Sequence, residues 1–411
     1  MPTDQTFVIV GASLAGAKAA ETLRSEGFDG SVVLIGAEAD RPYERPPLSK
    51  DYLQGKSEKE KVYVHEAGWY ADNNVDLRLS TRATAVDAKA HTVTLDSGEQ
   101  LNYSKLLLAT GSTPRHISVP GADLGGVFYL RTVGDSEALR AAISSGGRVV
   151  VVGAGWIGLE TASAARGYGA DVTIIEPQQT PLYAVLGEEL GEVFAQLHRD
   201  NGADLRLRTG VQEFRGDGSK VTSVVTDKGD EVPADSVIVG VGIRPNVELA
   251  EAAGVAVENG IVVNEFLQST DPDVYAAGDV ANAHNPLLGR NVRVEHWANA
   301  LNGGPAAAKS MLAKGEPYDR VPYFFSDQYD LGMEYSGLAM PGDYDDVVYR
   351  GDKDKREFIA FWLKDRRVLA GMNVNVWDVT DPIQKMIRTQ IEVDPAKLAD
   401  TSTALEELAG E

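Results

Sequence analysis

The sequence predicts an α/β fold of two similar parallel-sheet domains followed by a smaller α+β domain, and three observations carry that prediction. An apolar strand pattern that breaks into a glycine-rich turn and then a helix occurs twice. The two copies also share a later turn, strand, glycine and proline at the same spacing. From about Tyr318 the texture changes to alternating strands. At 411 residues the chain exceeds what one hydrophobic core usually organises, so two or three domains are expected.

The first copy opens with the run Phe7-Val8-Ile9-Val10, read as a buried parallel strand. It enters Gly11-Ala12-Ser13-Leu14-Ala15-Gly16 and a helix ending near Arg24; a second strand, Val32 to Ile35, follows Gly27 and Gly30. The second copy runs from Val149 to Val152 into Gly153-Ala154-Gly155-Trp156-Ile157-Gly158, a helix to about Gly167, and a strand from Val172 to Ile175. In the first copy Asp96-Ser97-Gly98 marks a hairpin turn before the strand Leu106 to Ala109, which ends in Gly111 and Pro114. In the second, Asp227-Lys228-Gly229 precedes Val237 to Gly240, which ends in Gly242 and Pro245. Each copy is therefore read as a Rossmann-like nucleotide-binding domain with an inserted antiparallel hairpin layer. The run Val274-Tyr275-Ala276-Ala277, followed by Gly278-Asp279, is expected to return and complete the first domain's sheet. Strands Glu357 to Leu363 and Arg367 to Met372, with a short helix after Asp381-Pro382, suit a third, antiparallel α+β domain. The expected bounds are 1–113 with 241–317 for the first domain, 114–240 for the second and 318–411 for the third.

Composition excludes several classes of function. The chain has no cysteine, which removes disulfide frameworks, thiolate nucleophiles, CxxC redox pairs and cysteine-ligated metal or iron–sulfur sites; any redox chemistry must use a borrowed cofactor, and no metal ligand set is expected. A formal net charge of −22 disfavours nucleic acid and anionic membrane as general partners. The run Phe7 to Val10 is too short for a signal peptide and no later run approaches membrane-spanning length, so a cytoplasmic location is expected.

A glycine-rich turn between strand and helix lets the backbone approach a pyrophosphate, whose charge meets the free N–H groups and positive dipole end of the helix. The second turn has all three glycines, Gly153, Gly155 and Gly158, and Glu176 stands at the end of the next strand. A carboxylate there accepts bonds from both adenosine ribose hydroxyls and repels a 2′-phosphate, which favours NADH over NADPH. The first turn departs from this pattern. Ser13 replaces the middle glycine between Gly11 and Gly16, and the equivalent strand end reads Gly36-Ala37-Glu38, with the acid displaced. The ribose contact is then shared between Glu38 and backbone groups around Ala37.

The run Arg41-Pro42-Tyr43-Glu44-Arg45-Pro46-Pro47-Leu48-Ser49-Lys50, with Leu108-Ala109-Thr110-Gly111, Trp156-Ile157-Gly158-Leu159-Glu160, Ala277-Gly278-Asp279 and Phe325-Ser326-Asp327-Gln328-Tyr329, resembles the FAD-dependent ferredoxin reductases of the pyridine nucleotide-disulfide oxidoreductase superfamily. The resemblance spans essentially the whole chain. It implies nucleotide-binding domains of glutathione-reductase type, FAD in the first, NADH in the second, and a third domain at the electron-exit side. It further implies that Lys50 lies beside the flavin and pairs with Glu160, that Arg45 and Arg131 contact FAD, and that Asp279 accepts a ribityl hydroxyl. Ala15 and Ala83 supply backbone contacts, Thr110 stands near the adenine side, and Trp297 lies beside the flavin ring. Ile157 and Gly242 fall in the NAD-side motif runs. His296 is read as structural, because hydride transfer needs no histidine base.

The activity so implied is that of an NADH:ferredoxin oxidoreductase. Hydride passes from nicotinamide C4 to flavin N5, and single electrons then pass to a small ferredoxin, of 2Fe–2S type, serving a cytochrome P450 or dioxygenase. A disulfide reductase of the same fold is excluded by the absent cysteines, as are the peroxide- and oxygen-reducing relatives that use one. A reading from another class is a redox-sensing interaction protein resembling apoptosis-inducing factor. Arg290, Arg293, Lys309, Lys314 and Arg320, dense in sequence near the proposed flavin and third domains, are the candidates for docking an acidic ferredoxin.

Overall fold

The computed structural model describes residues 4–410. The chain forms two compact units: unit 1 comprises the residues through Arg45, Lys59–Thr113 and Arg244–Pro322, and unit 2 comprises Pro46–Glu58, Pro114–Ile243 and the chain from Tyr323 onward.

Unit 1 is built on a five-stranded sheet in the order Val274–Ala276, Lys105–Leu108, Thr6–Val10, Ser31–Ile35, Val75–Arg78, all neighbours parallel. Its three inner strands carry unbroken apolar runs because both faces are covered; Phe7, Val8, Ile9 and Val10 are all buried. The strand Val274–Ala276 joins the sheet edge beside Lys105–Leu108, returning the chain as the sequence reading expects. The helix Leu14–Ser25 packs closely on the helix Trp297–Met311. Small residues permit this: a Cβ at Gly304 would fall 2.2 Å from the Ala15 carbonyl oxygen. A three-stranded antiparallel layer, Ala83–Asp87, Thr92–Leu95 and Gln100–Asn102, is turned by Asp96-Ser97-Gly98.

Unit 2 repeats the plan. Its parallel sheet runs Asp204–Leu207, Asp171–Glu176, Arg148–Val152, Ser236–Val239, Val127–Phe128. The glycine-turn strand is central in both sheets, flanked by the strand after its helix and the strand after the hairpin layer. The fifth strand differs in origin, arriving late in the chain in unit 1 and early in unit 2. The hairpin layer of unit 2 is Val211–Gly216, Val221–Thr226 and Glu231–Pro233. The same unit holds an antiparallel sheet in the order Tyr323–Gln328, Leu331–Gly337, Arg367–Val374, Glu357–Lys364, Asp346–Asp352, with the helix Thr380–Thr389 on it. One apolar cluster joins this sheet to the parallel one, through Phe194, Leu159, Phe324, Tyr335 and Trp362. Among the described residues no helix is long and apolar enough to cross a membrane.

Candidate functional site

The two glycine turns are built alike. The first glycine of each takes a positive φ, +123° at Gly11 and +96° at Gly153, and the third lies against the first: a Cβ at Gly16 or Gly158 would fall 2.0 or 2.1 Å from the carbonyl oxygen of Gly11 or Gly153. Only glycine closes such a turn. The middle position is different. Gly155 has an ordinary φ of −78°, and a Cβ there would meet nothing within 4 Å. Neither backbone strain nor packing within the protein asks for glycine at 155, so the space it leaves suits a closely approaching ligand. Neither helix start has a side-chain cap, including the one at Ser13, and neither first turn carries an acid. The N–H groups that side chains usually satisfy are left for an anion, and both turns fit a dinucleotide pyrophosphate. Ile157, in the first turn of its helix, is 44% exposed.

Glu176 ends its strand, buried. Its Oε2 accepts from Ala154 N at 2.7 Å and its Oε1 from Gln178 N at 2.9 Å, so the carboxylate braces the glycine turn and keeps further lone pairs for hydroxyl donors. In unit 1 the same register position, one past Ile35, is Gly36. A Cβ there would lie 2.6 Å from Ala12 Cβ, which explains the displaced acid. Glu38, two residues on, accepts from the Tyr43 hydroxyl and pairs with Arg45 at 3.1 Å. The loop before Ala83 is pinned to this segment, Thr81 N donating to Gly36 O at 2.9 Å and Ser80 N to Glu38 O at 2.9 Å.

Other expected residues of unit 1 gather in the same region. Arg45 feels the charge of Asp279, and burial raises the pKa of the neighbouring Glu44. Asp279 follows Gly278, which faces Ala15 of the first glycine helix: a Cβ at Gly278 would lie 3.3 Å from Ala15 Cβ. His296 caps the helix begun by Trp297, and burial pulls its pKa down to about 4, so it is neutral at pH 7. Thr110 is locked to Asn246, its Oγ1 donating to Asn246 O at 2.7 Å and its carbonyl accepting from Asn246 Nδ2 at 2.8 Å.

Unit 2 holds Lys50, Arg131 and Gly242. Arg131 precedes the capping box of the helix Val133–Ile143, and its N–H donates to Asp135 Oδ2 at 3.0 Å. Gly242, at φ +99°, accepts from Arg115 N at 2.9 Å. Lys50 Nζ meets Glu160 Oε1 at 2.8 Å; the two side chains are 14% and 3% exposed. The Ser49 hydroxyl donates to Glu160 Oε2 at 2.5 Å and the Ser326 hydroxyl to Oε1 at 2.7 Å, and the Lys50 ammonium lies 5.3 Å from the Phe325 ring centroid. A carboxylate this buried needs such donors around it. Ser49 and Ser326 stand inside the motif runs, where adjacency to Lys50 and Phe325 is the sequence signal for them. Among the described residues no group of three or more His, Asp or Glu could hold a metal ion.

The candidate docking cations do not form one patch. Lys309 and Lys314 both face Glu26, at 3.8 and 3.3 Å, and Arg293 is largely buried in an ion pair with Glu295. Arg290 and Arg320 come together, because Asn285 pairs with Arg290 across the hairpin and donates from Nδ2 to Arg320 O at 2.9 Å; both arginines are exposed.

Residues 5–304 match the family model of pyridine nucleotide-disulphide oxidoreductases, and residues 323–409 match a reductase C-terminal model. The chain belongs to the pyridine nucleotide-disulphide oxidoreductase family. Members of this family use FAD and NAD(H). The chain is 42% identical to the ferredoxin–NAD(+) reductase component of an anthranilate 1,2-dioxygenase system from Burkholderia cepacia, over 97% of this chain and 98% of that one. It is 38% identical to putidaredoxin reductase from Pseudomonas putida, over 99% and 97%. Its fold matches the crystal structure of a covalent putidaredoxin reductase–putidaredoxin complex with a TM-score of 0.95 at 37% identity, covering 99% of this chain and 98% of that one. Within the family this chain lacks the disulphide of the family's name, having no cysteine.

Proposed function

We propose that this chain is an NADH-dependent, FAD-containing ferredoxin reductase that passes electrons to a small iron–sulfur protein, of 2Fe–2S type, serving an oxygenase. The observation that carries the reading is the pair of matching glycine turns in a chain without cysteine. Two nucleotides are provided for, and no internal disulfide can take the electrons, so they leave to a separate acceptor. The relatives named for a dioxygenase system and for putidaredoxin support an iron–sulfur acceptor. They also favour this reading over a redox-sensing interaction protein.

When bound, FAD supplies the exchange between a two-electron donor and a one-electron acceptor. The chain's own residues bind and orient. The first turn, with Ser13, Glu38 and Arg45, is proposed to hold FAD, together with Asp279, Trp297, Thr110, Ala83 and Arg131; the second turn, with Glu176 and Ile157, is proposed to hold NADH, and Gly242 to lie among the cofactor-binding residues. The domains proposed for them are 1–113 with 241–317 and 114–240, followed by 318–411. Lys50 is proposed to supply a cation to the bound flavin, which would favour the reduced form, and Glu160 holds that ammonium while it is withdrawn from water. The proposed location is the cytoplasm, where NADH is held.

The test is a comparison of acceptors. NADH-driven reduction of a 2Fe–2S ferredoxin should be rapid and catalytic. Slow turnover with a persistent nucleotide complex would favour the interaction-protein reading instead.

A further inference from the structure

Behind Glu160 runs a line of polar side chains within unit 2 that the proposed chemistry does not use. Ser326 Oγ lies 2.7 Å from Glu160 Oε1, Gln328 Nε2 lies 3.2 Å from Ser326 Oγ, His198 Nε2 lies 3.0 Å from Gln328 Oε1, and the Tyr329 hydroxyl lies 3.1 Å from His198 Nδ1. Ser326 and His198 have no exposed surface and Gln328 has 1%, so water cannot repair a wrongly directed bond. The line joins two motif residues, Ser326 and Gln328, to a histidine on the helix Tyr183–Asp200.

We propose that His198 and Gln328 are positioning residues for the Lys50–Glu160 pair: the tautomer of His198 fixes the orientation of the Gln328 amide, and that orientation makes the Ser326 hydroxyl donate to Glu160. The inference rests on the reading of that pair as lying beside the flavin. The directions follow one from another, starting at the carboxylate. Glu160, ionised against Lys50, only accepts, so the single hydrogen of Ser326 points at it. The Ser326 oxygen must then accept from Gln328, which requires the amide nitrogen on that side. The Gln328 oxygen therefore faces His198, which must carry its hydrogen on Nε2. Nδ1 is left bare, and the Tyr329 hydroxyl donates to it. Burial raises the Tyr329 phenol pKa and pulls that of His198 down to about 4, which keeps the phenol a donor and the imidazole neutral.

The opposite tautomer reverses the line. A hydrogen on Nδ1 turns the Gln328 amide over and sets its carbonyl against Ser326. The Ser326 hydrogen then satisfies either Gln328 or Glu160, and two oxygens face each other at the link left without one. Glu160 loses a donor, and the lysine it orients loses its fixed partner. His198 thus acts on the pair from the far end of the line, touching neither Lys50 nor any reacting atom.

The experiment uses the FAD-loaded full chain. Imidazole nitrogen NMR, with His198 assigned by its loss in His198→Asn, should show Nε2 protonated and Nδ1 bare at pH 7; a hydrogen on Nδ1 overturns the proposal. The rate of flavin reduction at saturating NADH is then compared among Ser326→Ala, Gln328→Leu and the double variant. Each single change should slow it by about tenfold, the loss of one hydrogen bond to a charged group, with KM for NADH within about twofold. The double variant should be no slower than Ser326→Ala alone, because Gln328 acts only through Ser326. Effects that multiply, or a rate unchanged in Gln328→Leu, overturn the proposal. Lys50→Ala separates the two levels: an unchanged rate there defeats the reading of the ion pair itself, whereas a slowed rate with Gln328→Leu unaffected defeats the positioning alone. If Gln328→Leu fails to fold, Tyr329→Phe keeps the ring and frees Nδ1. The Nε2 hydrogen should stay against Gln328 and the reduction rate should stay within about twofold, whereas a hydrogen found on Nδ1 with an unchanged rate overturns the proposal.

Discussion

Replacing Glu160 with alanine strips three donors of their acceptor at once. At 2.8 Å the Lys50–Glu160 attraction is about 6 kcal/mol at an effective dielectric constant near 20, and most of it offsets the cost of drying both charges. Removal of one partner leaves that cost unopposed, typically about 3–5 kcal/mol. Lys50 retains 14% exposure and can recover some hydration, so the lower end is expected. Glu160→Ala should therefore destabilise unit 2 by about 3 kcal/mol, roughly two powers of ten in its unfolding constant. Removing both charges in Lys50→Met/Glu160→Leu should cost less than the single change. Ser49 then has the Pro46 carbonyl at 3.4 Å as a fallback, whereas Ser326 loses its acceptor, leaving about 1 kcal/mol. Urea unfolding followed by tryptophan fluorescence reads both, since Trp362 is buried in the core of that unit and Trp156 packs against it. A loss under about 1 kcal/mol in Glu160→Ala, or a double variant as costly as the sum of the singles, would refute the picture of a dry, mutually dependent pair.

The remaining expectations concern the nucleotide sites, pH and docking. The unmodified protein should prefer NADH to NADPH by at least about tenfold in kcat/KM, and Glu176→Ala should narrow the gap; equal efficiency before substitution removes Glu176 from the ribose. Gly155→Ala meets open space at an unstrained φ, so stability should change by less than about 0.5 kcal/mol while the KM for NADH rises about tenfold or more; unchanged NADH binding contradicts the proposed pyrophosphate site. His198 has its pKa lowered from 6.5 to about 4 by burial, so it is neutral when folded and protonated when unfolded between those values. Its contribution is complete above about pH 6.5 and is lost as pH falls toward 4, roughly 2 kcal/mol between pH 7 and 5, and a His198→Asn variant that loses stability as steeply over that interval denies the assignment. Finally, Arg290→Glu with Arg320→Glu should raise the apparent KM for a cognate ferredoxin and flatten its salt dependence, with ferricyanide reduction unchanged; a parallel fall in both activities points to the fold instead.

What the sequence made legible is local. The strands around Phe7–Val10 and Val149–Val152, their glycine turns and the two hairpin layers follow from apolar runs broken by residues with few backbone alternatives. The place of Val274–Ala276 in the first sheet was legible as well, because a short buried strand needs a sheet to join. The reason for the displaced acid was not, since it lies in the approach of Gly36 to Ala12, which only the folded turn creates. Nor was the surrounding of Glu160: Ser326 is 166 residues away, and His198 meets Gln328 across 130. Charge pairing was hidden in the same way. Lys314 stands among other cations in sequence, yet its partner Glu26 lies 288 residues earlier. Density of lysine and arginine along the chain therefore did not amount to a patch.

As proposed, this chain takes electrons from NADH onto FAD and gives them to an iron–sulfur protein. An anaerobic absorbance titration of the purified protein tests it directly. Oxidised-flavin bands should bleach on adding stoichiometric NADH and return when oxidised 2Fe–2S ferredoxin is added, with the ferredoxin reduced in step. Flavin bands that persist in NADH, or a bleached flavin that the ferredoxin leaves reduced, would contradict it.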